Sequence, residues 1–357
     1  MRALPASDEP SRRVFWIILA AILAAALGLR LWGIGTPQLW EDDALNLDRA
    51  RLEPARLIAV QLYQGPADTI FDFQPPLSYL AVHAALAVSD TVLAARTPSL
   101  LAGVLSVLGI GLLGAACAGR RAGLAAAALY AGALFHMDFS RAIKLYAIFD
   151  CTLVYSLYFL ARAVTPGGRP GHLAGYALAS AAMLWAGYQG VPVLAAQGLG
   201  VGLLFFTRKG VFADTNCLSR LLWIAAAMAL AVTLWLPVAP GLFFLEAFLK
   251  NPGINPWQGF KPEFIVEVLG GFFSLNFTPS AVSVGAALAL TLLGLPGALR
   301  LPTLLLVLAG AVPCAAILTS HSDLRPIVSW RHLIALFPVV CVLTGSGAST
   351  VAAWAVR

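Results

Sequence analysis

Three carboxylates stand side by side in the stretch "LWEDDALNLDRAR": Glu41, Asp42 and Asp43. The chain holds only 17 acids in 357 residues, so the grouping is a concentration of charge. It follows closely on an apolar run that begins at Val14. Acids in the first turn of a helix over 43–53 serve as caps and complement the helix dipole. One or two suffice for that, and uncompensated charge at a membrane boundary is costly. A carboxylate aimed into a cavity at the membrane surface can instead act as a general base.

Three further stretches concentrate groups able to do chemistry. "FDFQPPLSYLAVH" carries Asp72, Gln74 and His83. "FHMDFSRAIKLYA" crowds His136, Asp138, Arg141, Lys144 and Tyr146 into one turn. "HSDLRPIVSWRH" carries His321, Asp323, Arg325, Arg331 and His332. Each has an ordinary explanation: a loop acid, a satisfied polar spot on an interfacial helix, or basic and aromatic anchors at a membrane interface. Taken together, cations beside a carboxylate suit group transfer from a phosphate-bearing lipid. The cations hold the leaving phosphate and the acid takes a proton from the incoming hydroxyl.

The elements that must position these groups are membrane helices. Hydrophobic residues make up 60% of the chain and charged residues 11%, with a mean hydropathy of +0.83. A soluble domain carries roughly 25% charged residues, so a water-facing globule is excluded. Long apolar runs argue for helices over a β-barrel. The fold class expected is an all-α polytopic bundle of about ten spans, each long enough for a hydrocarbon core of about 30 Å. The runs lie at 14–33, 98–118, 122–139, 146–163, 172–188, 190–206, 219–238, 279–299, 301–319 and 333–355. They make one membrane domain over 1–357, its first run a retained span and not a cleaved signal. Five scattered cysteines show no metal-ligand or disulfide pattern. A net charge of +6 without long basic stretches gives no nucleic-acid footprint.

The run between Pro75 and Asp90 is short and reads as interfacial or re-entrant. If it does not span, the loops divide by charge. One side gathers Arg12, Arg13, Arg120, Arg121, Arg162, Arg169, Arg208, Lys209 and Arg220, with few acids. The other holds 13 of the 17 acids. The positive-inside rule then puts the N-terminus in the cytoplasm and the acidic clusters outside. Two large outer loops result, 34–96 and 239–278. The second includes "KPEFIVEVLGGFF", whose apolar face suits a helix lying in the interface. Asp150 is the one acid left inside a span.

The order of these motifs resembles the membrane-embedded C-type glycosyltransferases, in particular the dolichyl-phosphate-mannose protein mannosyltransferase and aminoarabinose transferase-like group. That family shows an acidic "DEA"-like motif, "HPPL.Y", "R.PS", a "GRR"-like turn, "FH..YSQEAR.YA" and a late "RY..P..P". Here the order reads Asp42-Asp43-Ala44, Gln74-Pro75-Pro76-Leu77-Ser78-Tyr79, Arg96-Thr97-Pro98-Ser99, Gly119-Arg120-Arg121, "FHMDFSRAIKLYA" and "SWRHLIALFP". The match is strong over 14–164 and one of hydropathy only over 165–320.

The resemblance implies transfer of a sugar from a polyprenyl-phosphate donor to a lipid, glycan or protein acceptor, with inversion, on the outer face of a bacterial inner membrane. Asp42 then maps to the base and Asp43 stands beside it. Lys144, Tyr146, Arg141, Arg331 and Arg325 become the candidates for the donor phosphate. Asp72, Gln74 and His136 are further site candidates. The chain departs from the family where the Glu of the acidic motif is Asp43, the His of "HPP" is Gln74, and "QE" is Arg141-Ala142. Some relatives bind a divalent metal near these positions, and the lost His and Glu argue against one here. Two other readings stand beside the enzyme. A lipid-linked sugar transporter would show paired halves and broken helices, and no twofold repeat is present; an inactive relative would fit the two departures.

Overall fold

The computed structural model describes residues 9–35, 39–61, 74–242, 281–298, 310 and 334–355. Among them every regular element is helical. The first helix, α1 (Arg12–Leu31), is capped by Ser11, whose Oγ accepts from the Val14 N–H at 3.3 Å. Three short helices follow: α2 (Glu41–Ala50), α3 (Pro54–Gln61) and α4 (Leu77–Leu86). The long α5 (Val92–Ala118) opens on a Thr91 cap and is followed by α6 (Arg120–Gly132), α7 (Leu134–Phe139), α8 (Tyr146–Ala163), α9 (Pro170–Ala186), α10 (Gly190–Phe206) and α11 (Cys217–Trp235). Beyond these come α12 (Ala281–Ala298) and α13 (Phe337–Ala355).

Among the described residues, five helical stretches are long and apolar enough to cross a membrane: Arg12–Leu31, Val92–Ala118, Gly190–Ala213, Cys217–Val238 and Ile334–Trp354. Helix α8 packs between α5 and α9, and α13 lies against α6 and α12. Small residues allow these close crossings. A Cβ on Gly114 of α5 would stand 2.8 Å from the Cα of Gly123 on α6. On α13, a Cβ at Gly345 would meet the Ala122 carbonyl at 2.6 Å, and one at Gly347 would collide with the Leu290 carbonyl of α12.

The bundle has two distinct ends, fixed by contacts between segments distant in sequence. At one end the Glu9 carboxylate accepts from the Arg120 N–H at 2.8 Å, and Arg120 donates to the Pro10 carbonyl at 2.9 Å. Between α5 and α6 the chain turns at Gly119, whose φ of 98° lies in the left-handed region; a Cβ there would also strike the Glu9 carboxylate. The start of α1 and the α5–α6 turn therefore share one end. Helix α4, ten residues and about 15 Å long, is too short to span, as the interfacial reading of Pro75–Asp90 expects. It lies at the other end, tied to α2 where His83 Nδ1 meets the Ala50 carbonyl at 2.9 Å.

Several boundaries differ from the sequence reading. The acidic helix starts at Glu41, not residue 43, so all three acids fall in its first turn. The run expected as one helix over 122–139 is broken at Ala133, whose extended backbone separates α6 from α7. The buried guanidinium of Arg30 accounts for the break: it donates to the Ala131 carbonyl at 3.2 Å and the Tyr130 carbonyl at 3.5 Å, groups that the end of α6 leaves without helical partners. Residues 243–280, with the expected interfacial helix, and the expected span 301–319, apart from residue 310, lie outside the described residues. So do Asp72, Arg325 and Arg331.

Candidate active site

The candidate site is built where α2 meets the turn between α7 and α8. The main chain of this turn is fixed from two sides. Asp43 Oδ1 accepts from the Ile143 N–H at 3.1 Å, and Asn46, one helical turn on, donates to the Ile143 carbonyl at 2.7 Å. From α5, Ser99 Oγ donates to the Lys144 carbonyl at 3.3 Å. Thus held, Lys144 extends its ammonium to Asp42, with Nζ 2.8 Å from Oδ2. The Lys144 side chain is 11% exposed and that of Asp42 is 42% exposed, so the pair opens to the surface on the carboxylate side.

The two neighbouring aspartates differ. Asp43 is buried, and it also accepts from the backbone N–H of Trp40, the residue that caps α2. This is half of a capping box, in which the third helical residue reaches back to the cap. Burial pushes the Asp43 carboxyl above its ordinary pKa, partly offset by the two backbone N–H groups and by Arg96 and Lys144. Glu41 is exposed at the same helix start.

The turn that carries Lys144 is in turn anchored to α1 by two reciprocal arginine caps. Arg141 donates to the Leu29, Arg30 and Trp32 carbonyls at the C-terminal end of α1, at 3.3 Å for Arg30 and 2.7 Å for Trp32. Arg30 of α1 reaches the opposite way, to the carbonyls of α6, to Ser140 Oγ at 3.2 Å and to His136 Nδ1 at 2.6 Å. Behind it lies a buried polar network. His136 Nε2 stands 3.2 Å from Asp150 Oδ2, and the Tyr130 hydroxyl lies 2.6 and 2.7 Å from the two Asp150 oxygens. Polar groups sealed in a membrane bundle must find partners within it, and these four residues supply them to one another.

The candidate residues named from the sequence therefore separate in space. Asp42, Asp43 and Lys144 come together. Arg141 is engaged with α1 carbonyls. Tyr146 is buried with its ring 4.5 Å from that of Phe139. His136 belongs to the interior network, and Gln74 Oε1 lies 3.5 Å from the Tyr79 hydroxyl at the start of α4. Asn46, Ser99 and Arg30 are positioning groups that residue type alone did not single out. For Asn46 the signal was its spacing of three from Asp43 on a polar helix; for Arg30, a cation inside an apolar run. Among the described residues no group of three His, Cys, Asp or Glu side chains could hold a metal ion.

The family described as dolichyl-phosphate-mannose-protein mannosyltransferase matches residues 74–238. No curated protein matches the chain. Among solved structures, ArnT from Cupriavidus metallidurans in the apo state superposes with a TM-score of 0.67 at 16% identity, covering 97% of this chain and 62% of that one. ArnT bound to undecaprenyl phosphate gives 0.65 at 17% identity, covering 94% and 60%. The oligosaccharyltransferase AglB from Archaeoglobus fulgidus, in complex with an inhibitory peptide and a dolichol-phosphate, gives 0.56 at 14% identity, covering 94% and 50%. The chain thus spans about 60% of the length of ArnT. The resemblance to the membrane-embedded C-type glycosyltransferases therefore holds in sequence over residues 74–238 and in fold over nearly the whole chain.

Proposed function

We propose that the chain transfers a sugar from a polyprenyl-phosphate donor to a hydroxyl acceptor at the extracytoplasmic face of a bacterial inner membrane, with Asp42 as general base. The observation that carries this reading is the Asp42–Lys144 pair, 2.8 Å apart and open to the surface on the carboxylate side. Binding of polyprenyl phosphates by the similar ArnT and AglB structures supports the donor class. The gathering of basic residues at the Arg120 end supports the orientation, since the positive-inside rule makes that end cytoplasmic and the end with the pair outer.

The chemistry follows from charge. A sugar phosphodiester carries one negative charge on its phosphate. As the acceptor oxygen attacks the anomeric carbon from the opposite face, the bond from that carbon to the phosphate oxygen breaks and the phosphate gains a second charge. Lys144 meets this growing charge and so favours the transition state over the bound donor. Arg325 and Arg331 are further candidates for the same phosphate. Asp42 accepts the proton of the acceptor hydroxyl, leaving an inverted glycoside and a free polyprenyl phosphate.

Donor phosphate and Asp42 compete for one ammonium. Donor binding draws Lys144 towards the phosphate, and Asp42 receives the acceptor proton. Asp43, fixed between Trp40 and Ile143, holds the loop in register. Incubating the purified chain with undecaprenyl-phosphate sugars, tested as a panel with cell-envelope lipid and glycan acceptors, should release undecaprenyl phosphate in step with glycosylated product. Transport of the lipid-linked sugar across vesicles without any product would contradict the reading.

A further inference from the structure

The opposite end of the bundle contains a second feature that sugar transfer does not use. A cleft of about 580 Å³ lies between the end of α8, the start of α9 and the first half of α11. Its walls are mostly apolar: Leu173 and Ala177 on one side, Trp223, Ile224, Ala227 and Leu230 on the other. Arg169 and Arg220 also line it, from the starts of two different helices. Among the described residues neither forms an ion pair with a carboxylate.

The cleft's position follows from the chain path. Helix α8 begins two residues after Lys144 and runs 18 residues to Ala163, which lines the cleft. That length is about 27 Å, so cleft and candidate active site lie at opposite membrane surfaces. Two arginines at a membrane boundary, with no acidic partner among the described residues, fit a phosphate. Below them the apolar wall continues along α11 from Arg220 to Leu230, about 15 Å, a depth that suits an acyl chain.

We propose that this cleft is a binding site for a phospholipid with an anionic head group, drawn from the leaflet opposite the candidate active site. Arg169 and Arg220 hold the phosphate and head group, and an acyl chain lies between α9 and α11. A zwitterionic phospholipid offers the same chain but a compensated charge, so the site discriminates by head group.

Native mass spectrometry of the full chain in detergent tests this, with phosphatidylglycerol, phosphatidylcholine of the same acyl composition, and undecaprenyl phosphate as probes. The expected result is at least tenfold tighter binding of phosphatidylglycerol than of phosphatidylcholine. The double variant Arg169→Gln/Arg220→Gln should lose that preference with its thermal midpoint unchanged. Ala227→Trp, which fills the cleft, should weaken retention of either phospholipid. Lys144→Ala, at the other surface, should leave phosphatidylglycerol binding intact. Equal binding of the two phospholipids by the wild type would overturn the proposal. So would a preference that survives the double variant. Displacement of phosphatidylglycerol by an equal amount of undecaprenyl phosphate would give the cleft to the polyprenyl lipid and overturn it too.

Discussion

Asp42 and Lys144 lie 102 positions apart in sequence and meet at 2.8 Å, each carried by an element that the other helps to place. Asp42 is the second residue of α2; Lys144 sits in the turn whose Ile143 peptide is held by Asp43 and Asn46 of the same helix. One helix thus supplies both the carboxylate and the clamps that bring the cation to it.

The Asp42–Lys144 contact should matter little for stability. Partly exposed ion pairs are worth about 0–1 kcal/mol. Lys144→Ala is therefore expected to shift unfolding by no more than that. A charged hydrogen bond to the donor phosphate is worth about 1.5–3 kcal/mol, so donor affinity should fall by roughly ten- to a hundredfold. Titration calorimetry beside thermal unfolding checks both; unchanged donor affinity would reduce Lys144 to an anchor of α2.

Asp43 should leave a pH signature. Its carboxyl is raised by burial, so the folded state binds its proton more tightly than the unfolded chain does. The resulting stabilisation is present below the unfolded value near 3.8 and is lost as pH rises through the higher folded value. Asp43→Asn keeps an oxygen for the Ile143 N–H and does not titrate. Relative to this variant, the wild type should lose stability as pH rises from about 4; parallel unfolding curves at all pH values would contradict the burial account. Asp43→Ala, which removes the acceptor, should cost about 1–3 kcal/mol.

The buried network should behave as structure. Tyr130→Phe withdraws a hydroxyl that both Asp150 oxygens receive, at an expected cost of about 1–3 kcal/mol. Asp150→Ala strands His136 and Tyr130 together and should cost about 3–5 kcal/mol. Both are read as a fall in thermal midpoint, and a neutral Asp150→Ala would mean that the interior reorganises or admits water.

The two ends of the bundle should label from opposite sides. In a background without native cysteines, a single cysteine at Ser89, next to α4, should react with an impermeant thiol reagent from outside. One at Arg121 should not. Labelling of Arg121 from outside would invert the orientation and place the Asp42–Lys144 pair in the cytoplasm.

Much of this was legible in the sequence because the physics involved is local. The apolar runs give α1 to within two residues and α8 at both ends, whereas α5 begins at Val92, six residues before the expected start at 98. The short run after Pro76 reads as non-spanning from its length together with the charge of the flanking loops. The pairing of α2 with the 141–145 turn was accessible only through the order of motifs, since nothing local links Asp42 to Lys144. The break at Ala133 was hidden: "GLAAAALYAGALFHM" continues an apolar pattern, and the cause of the break, Arg30, lies about a hundred residues away on α1. The same holds for Arg141, whose type and place suited a phosphate but whose hydrogen bonds run to α1. An arginine's sequence neighbourhood does not say whether a helix end or a ligand will claim it.

The central claim, that Asp42 is the base, is tested most directly by turnover of purified Asp42→Asn with a polyprenyl-phosphate sugar and acceptor. The substitution keeps shape and most hydrogen bonding but cannot take up the proton, and loss of a general base costs about 10²–10⁴-fold in rate. The expected result is a folded protein that binds donor and falls in rate by that factor, while Glu41→Gln loses little. Near-normal turnover by Asp42→Asn would contradict the claim: the carboxylate would then be only the first-turn partner of Lys144, and the base would have to be sought at Asp43 or Asp72.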